Sequence, residues 1–197
     1  MKRILQILTL FFIIGCNNNY EKEELNVIKD IANEFLVKNH LNKVLKDPFE
    51  EIYERPLYVD TLDLKVYLSD ALLPISQIKE DNEWMFENKS LEKKDSIIFY
   101  SLIKSKKFQN LKYREFEKNK VQFEKPYRQF EKSKEKLKEN EEYSLINFSR
   151  VCLDEKEENG IVVIEYRNGK KGFTIYGSHR VYLIRKKNSK WKYILEQ

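Results

Sequence analysis

Cysteine and histidine are the residue types in this chain that could support nucleophilic catalysis. Cys152 and His179 both lie in the C-terminal part, and His40 is the second histidine. A cysteine attacks as the thiolate, so it needs a lowered pKa and a base within hydrogen-bond reach. Adjacent strands could bring Cys152 and His179 together, which leaves a Cys/His hydrolase open as a hypothesis. The other interpretations of Cys152 are a small buried side chain, a reactive thiol or one half of an intermolecular disulfide.

Metal and phosphate sites are not predicted from the remaining residues. Neither His40 nor His179 belongs to a His/Cys cluster, so a zinc site of the ordinary ligand type is not expected. The stretch from Gly169 to Gly172 follows a strand pattern but lacks the following helix that a phosphate-binding loop requires. We interpret carboxylate pairs such as Asp60 and Asp63 as solvated surface. We therefore predict no catalytic residues, no metal, no cofactor and no nucleic-acid partner.

The N-terminal residues carry the strongest local pattern. Lys2 and Arg3 precede an apolar run over 4–14 that ends at Gly15 and Cys16. A basic start, a short apolar core and a small residue at the cleavage point are the features of a secretory signal peptide. A helix over these 11 residues is about 16 Å long, roughly half of the ~30 Å hydrocarbon layer. The run is therefore too short to be a transmembrane anchor.

The residues Ile13, Ile14, Gly15 and Cys16 resemble the lipobox of bacterial lipoprotein signal peptides. The resemblance implies cleavage after Gly15, diacylglycerol on the Cys16 sulfur and acylation of the new amino terminus. It divides the chain into a signal peptide (1–15), a lipidated tether (16–20) and a single domain (21–197) in the cell envelope. Several acyl chains together anchor a protein stably. Asn17, by resemblance to lipoprotein sorting rules, favours the outer membrane.

Basic charge is concentrated in the segment 104–140, which holds 13 basic and 6 acidic side chains. Its Phe-Glu-Lys triplets begin at Phe116, Phe123 and Phe130, and a spacing of seven predicts one aromatic stripe on a helix. Pro126 predicts a break in that helix. We interpret this basic helical segment either as a charged surface helix packed on the core, or as a surface that binds anionic lipid head groups or an acidic partner. The candidate binding residues are Lys106, Lys107, Arg114 and Arg128.

The periodicity elsewhere predicts an α+β fold. Apolar residues at three-four spacing predict an amphipathic helix over 21–46. The middle of the chain predicts strands at 57–59, 65–68 and 96–103, a helical turn at 70–73 and an apolar loop at 84–86. Strand-like runs at 143–153, 161–166, 173–176, 180–185 and 191–195 are separated by Asn-Gly, Gly-Ser and Asn-Ser turns. Such short links join antiparallel neighbours, so we expect the N-terminal helix to pack on a C-terminal antiparallel meander sheet.

Two further resemblances concern the C-terminal part. Phe148, Ser149, Arg150 and Val151, with Lys190, Trp191 and Lys192 later, resemble the C-terminal pattern of bacterial envelope lipoproteins of unknown function. A helix on a curved sheet is similar to cystatin-like and NTF2-like folds, an analogy that implies no activity. Together with the leader, these features predict a membrane-tethered binding or interaction module with a protein partner in the envelope. That role could be an accessory subunit of an envelope complex or an immunity-type inhibitor of a toxin, and the Cys/His hydrolase is the third possibility.

Overall fold

The computed structural model describes residues 2–41, 62–87, 90–131, 136–138, 141–170 and 173–194. The α-helices are α1 (Lys2–Leu36), α2 (Ile75–Asp81), α3 (Lys93–Ile103) and α4 (Lys106–Asn110). A π-helical turn (Val37–Leu41) follows α1, and the 3-10 turns are Glu83–Phe86 and Lys118–Lys120. The strands are β1 (Leu64–Leu68), β2 (Ala71–Leu72), β3 (Arg114–Glu115), β4 (Tyr127–Gln129), β5 (Glu142–Phe148), β6 (Cys152–Leu153), β7 (Asn159–Lys170), β8 (Phe173–Lys187) and β9 (Lys190–Tyr193).

The main sheet confirms the α+β class. Its strand order is β4-β1-β5-β7-β8-β9, with β6 pairing to β7. The strands β5, β7, β8 and β9 form an antiparallel meander. The strand β1 pairs in parallel with both β4 and β5, so the sheet extends beyond the predicted meander. The short strands β2 and β3 form a separate antiparallel pair.

The helix α1 lies across one face of the sheet and also covers its β9 edge. The predicted helix over 21–46 is confirmed through residue 41, and 42–46 and the predicted strand at 57–59 lie outside the described residues. The carboxylate of Asp30 accepts a hydrogen bond from the backbone N–H of Trp191 at 2.9 Å, and Glu34 accepts one from Tyr193 at 3.2 Å. These side chains satisfy backbone groups of an edge strand that would otherwise face outward.

The strand β7 is buried on both faces. Val162 and Ile164 pack in the cluster under α1, whereas Ile161 and Val163 pack in the cluster formed with α2, α3 and α4. Because helices cover both faces, the strand reads as a continuous apolar run instead of an alternating one. This is why the sequence pattern does not identify a single core face.

The predicted basic helix over 104–140 is wrong for the described residues. Only the short helix α4 and one 3-10 turn are helical there, and the rest is extended or turn. The backbone pairs with other segments instead: the N–H of Phe116 donates to Asp70 at 2.9 Å, and that of Phe130 donates to Val66 at 2.7 Å. Phe116 and Phe130 are buried, and Phe123 is half-buried. The aromatic repeat therefore supplies core contacts without forming a helical stripe, and Pro126 lies in a turn.

Two predictions for the middle of the chain are also wrong. The expected strand at 96–103 lies in helix α3, where the buried residues Asp95, Phe99, Leu102 and Ile103 have helical spacing. The expected helical turn at 70–73 contains strand β2, because its backbone pairs with β3. The apolar loop at 84–86 is a 3-10 turn with Met85 and Phe86 buried.

The C-terminal strands are longer than the turn residues suggested. The predicted runs 173–176 and 180–185 form one strand, β8, because Gly177 and Ser178 pair with Arg167 and Tyr166 of β7. The predicted run 143–153 is divided into β5 and β6. The turn predicted at Asn188 and Ser189 is confirmed, and both residues have positive φ angles of 50° and 63°.

Candidate functional site

The predicted lipid-attachment residue, Cys16, lies in α1 one helical turn before Tyr20. The Tyr20 hydroxyl donates a hydrogen bond to the backbone carbonyl of Val151. The Tyr20 side chain also packs against both hydrophobic clusters, and the Lys107 ammonium lies 5.3 Å from its ring centre. Burial, reinforced by the charge of Glu24, raises the pKa of Tyr20 well above its ordinary value of 10.0. Packing of the folded body therefore includes Tyr20, which was predicted to belong to the tether.

A buried polar cluster lies one turn further along α1. Glu24 is fully buried, and its carboxylate accepts hydrogen bonds from Arg150 Nε at 2.8 Å, Arg114 at 2.7 Å and the Val151 backbone N–H at 2.8 Å. Arg150 also donates to the Lys112 carbonyl at 2.6 Å. Each partner offsets part of the cost of removing the carboxylate from water. We call Glu24, Arg114 and Arg150 the Glu24 cluster, and it fixes α1 against β3 and the segment before β6.

The sequence analysis did not identify Glu24 as a candidate site residue. A local signal was present, because Glu24 is four residues before Ile28 and therefore lies on the buried stripe of α1. An acidic residue at a core position needs a buried partner. The identity of the partners, Arg114 and Arg150, was not encoded locally because they lie 90 and 126 residues away.

The four predicted binding residues do not form one basic patch. Arg114 pairs with Glu24 and with Glu21 at 3.4 Å. Arg128 pairs with Asp63 at 2.6 Å near the β4 edge of the sheet. Lys107 lies against the Tyr20 ring and within 3.5 Å of the Asp154 carbonyl. Lys106 is exposed on α4, where it is the chain neighbour of Lys107.

The pair Cys152 and His179 is not brought together. Cys152 pairs with Ile161 of β7, whose partner on β8 is Leu183, whereas His179 pairs with Glu165. Two strand spacings and four residues along the strand separate the two side chains by on the order of 15 Å. Burial raises the pKa of the Cys152 thiol despite a contact of its sulfur with Ser105 at 3.7 Å. Both features favour the buried side chain over the nucleophile.

No group of three or more His, Cys, Asp and Glu side chains is placed to hold a metal ion among the described residues. A shallow depression beside the Glu24 cluster has a volume of about 500 Å³. Its rim mixes the carboxylates of Glu21, Glu115 and Glu117 with the cations of Lys22 and Lys120. This mixture of signs does not select a charged ligand.

Family models, curated proteins and solved structures all returned no match to this chain. Among the described residues, no helix has the length and apolar character needed to cross a bilayer.

Proposed function

We propose that this chain is a lipid-anchored envelope protein that acts as a binding or interaction module. One observation carries the proposal: a basic and apolar leader ends in Ile13, Ile14, Gly15 and Cys16. In this proposal the leader is removed after Gly15, Cys16 carries the acyl chains, and the α+β body stays at the membrane surface. The sorting rule at Asn17 favours the outer membrane.

The position of Tyr20 supports this proposal. Tyr20, four residues after Cys16, donates a hydrogen bond to Val151 and packs against both hydrophobic clusters, so the folded body begins close to the proposed attachment residue. A non-catalytic role is supported by the buried Cys152 and by its separation from His179.

The anchor is tested by comparing the two cysteines. We expect Cys16→Ser to remove the protein from the membrane fraction, whereas Cys152→Ala should leave it there because Cys152 is buried in the core and does not follow the leader. Mass spectrometry of the purified wild-type protein should find an acylated N-terminal Cys16 and no Met1–Gly15. An intact leader with an unmodified Cys16 thiol, or a Cys16→Ser variant that still pellets with membranes, would overturn the proposal.

The partner class is tested by cross-linking in intact cells. An accessory subunit should be captured together with an abundant resident envelope protein. An immunity-type inhibitor should show no partner until a toxin is added, and its deletion should remove protection from that toxin. A captured chain that is recovered equally from the Cys16→Ser variant would show that membrane attachment is not needed for the interaction.

A further inference from the structure

The distance between Cys16 and the folded body is short, and this has a geometric consequence that depends on the proposed lipidation. Cys16 and Tyr20 are four residues apart in one helix, a rise of about 6 Å. Tyr20 is held to the body by its hydrogen bond to Val151 and by packing against both clusters. Acyl chains on Cys16 would therefore hold this end of the body at the level of the lipid head groups.

We call five residues the anchor-proximal surface: Leu73, Lys107 and Lys112, which contact Tyr20 or Arg150, and the chain neighbours Lys106 and Tyr113. Lys107 lies directly over the Tyr20 ring. Leu73 and Lys112 both reach Arg150, the neighbour of the residue that accepts the Tyr20 hydrogen bond. The Arg150 backbone N–H donates to the Leu73 carbonyl at 2.8 Å, and its guanidinium donates to the Lys112 carbonyl at 2.6 Å.

Two large apolar or aromatic side chains are exposed on this surface. Leu73 is 50% exposed and Tyr113 is 53% exposed. Strands β2 and β3 pair Ala71 with Glu115 and Leu72 with Arg114. Continuing this antiparallel register by one residue places Leu73 opposite Tyr113. An exposed apolar and aromatic pair next to cations is typical of surfaces that enter a membrane interface.

The charge of the surface suits an anionic membrane. Lys106 and Lys112 are exposed, and neither forms an ion pair with any residue that the structure describes. The nearby carboxylates of Glu21 and Glu24 are paired with Arg114 and Arg150. Two further carboxylates lie near Tyr113: Glu115 accepts a hydrogen bond from the Tyr113 hydroxyl at 3.2 Å, and Asp70 pairs with Lys118 at 3.7 Å.

We infer that the anchor-proximal surface docks onto the anionic lipid head groups of the membrane that holds Cys16. Lys106, Lys107 and Lys112 face phosphate groups, and Leu73 and Tyr113 enter the interface between head groups and acyl chains. The body then stands on the membrane in a fixed orientation instead of moving freely around a flexible tether.

The test uses the full lipidated protein in vesicles of phosphatidylethanolamine and phosphatidylglycerol. A nitroxide label is placed at residue 113 in a Tyr113→Cys variant and at residue 176 in a Tyr176→Cys control. Tyr176 is also an exposed tyrosine, at 43%, but its ring contacts Tyr166, which contacts Phe35 of α1. Phe35 is about 22 Å further along the helix than Tyr20. The parent protein should take up no label, because Cys152 is buried.

Collision rates of each label with oxygen and with a water-soluble nickel chelate report its depth. We expect the label at 113 to be shielded severalfold from the nickel chelate relative to the label at 176. Replacement of Lys106 and Lys112 by Gln should reduce that shielding. Equal nickel accessibility at 113 and 176 in protein that floats with the vesicles would overturn the docking inference alone. Protein that does not float would instead overturn the proposed lipid anchor.

Discussion

Glu24 is the residue on which the attachment of α1 to the sheet depends most. Its carboxylate is fully buried and is held by two guanidinium groups and one backbone N–H. Loss of one guanidinium group from this cluster leaves the charge of the buried carboxylate only partly compensated. Replacing one charged partner of Glu24 should therefore lower the free energy of unfolding strongly.

We expect Arg150→Met to lower the free energy of unfolding by about 3–5 kcal/mol, because it removes the main partner of Glu24. Arg167→Met is the matched control, since Arg167 is 56% exposed and pairs with Glu165 at the surface. The control should cost less than about 1 kcal/mol. Urea denaturation followed by circular dichroism measures both. Equal losses for the two variants would contradict a special role for the Glu24 cluster.

Glu23 connects α1 to β8 and β9 and should make stability depend on pH. Burial of Glu23 raises its pKa, but hydrogen bonds from Lys186 at 2.6 Å, Asn26 and the Trp191 indole at 2.8 Å outweigh burial, so the net pKa lies below its ordinary value of 4.5. A carboxylate with a lowered pKa stabilises the fold fully above its unfolded pKa. That contribution is lost as the pH falls through the folded pKa.

We expect Glu23→Gln to lower the free energy of unfolding at pH 7 by about 1.5–3 kcal/mol, the range for hydrogen bonds to charged groups. The same variant should lose less stability than wild type as the pH falls below 4.5. Thermal unfolding at a series of pH values measures both effects. A parallel pH dependence of the two proteins would be evidence against the lowered pKa of Glu23.

At the scale of elements, β7 is the strand that every layer shares. It pairs with β5, β6 and β8, and helices cover both of its faces. Its Gly160 pairs with Leu153 of β6, and the two strands approach closely there. A Cβ at this position would lie 2.7 Å from the Leu153 side chain and 3.0 Å from the Cys152 carbonyl.

We expect Gly160→Ala to lower the free energy of unfolding by about 1–3 kcal/mol, because β6 must move to accommodate the methyl group. Gly177→Ala is the control, since its Cβ would meet its nearest neighbour, the Tyr166 carbonyl, at 3.5 Å, an ordinary contact. The control should change stability by less than about 0.5 kcal/mol. Denaturant midpoints of the two variants give the comparison, and a larger loss for Gly177→Ala would refute this account of β7.

Elements with a strong local period were predictable from the sequence. The stripe of α1 and the apolar run of β7 each identify their element because the residues that determine it are close in the chain. The helix α3 was not predictable in this way. Its Ile, Phe and Tyr residues favour a strand by composition. The helical conformation is stabilised because it buries Phe99 and Leu102 against β7 and α4. The Phe-Glu-Lys repeat failed for a similar reason, because its backbone partners lie near β1 and β2.

The candidate site residues also differ in whether they depend on local sequence or on tertiary contacts. The proposed lipid attachment at Cys16 is predicted from four adjacent residues, so the prediction needs no tertiary information. The Glu24 cluster joins residues from α1, β3 and the segment before β6, and only the fold brings them together. The predicted basic residues were grouped by their position in the sequence. The fold separates Arg128 from Lys106 and Lys107, because β4 is an edge strand of the sheet and α4 packs in the cluster that contains β7.

The two hydrophobic clusters share β7, β8 and the Tyr20 ring. Because both clusters contain residues of β7 and β8, unfolding one cluster would expose strands that the other cluster packs against. Separate unfolding of either cluster is therefore costly. The predicted single domain therefore has a thermodynamic consequence, namely one cooperative transition.

We expect Phe35→Ala, in the cluster under α1, and Phe99→Ala, in the cluster with α2, α3 and α4, each to lower the free energy of unfolding by about 3–5 kcal/mol. Both side chains are 1% exposed. Each substitution should shift the same single transition, measured by far-ultraviolet circular dichroism and by tryptophan fluorescence. Two transitions, with each variant moving only one of them, would show that the clusters are independent units.

Asp30 and Glu34 accept hydrogen bonds from the backbone N–H groups of Trp191 and Tyr193. These donors lie 161 and 159 residues later in the chain. A nascent chain therefore carries these acceptors through most of its synthesis before their donors in β9 exist. Until β9 is synthesised, one edge of β8 has no strand partner. Contacts between residues so far apart in the chain form slowly. If the chain is exported through a translocation channel, as the proposed leader implies, this delay favours an unfolded chain during transit.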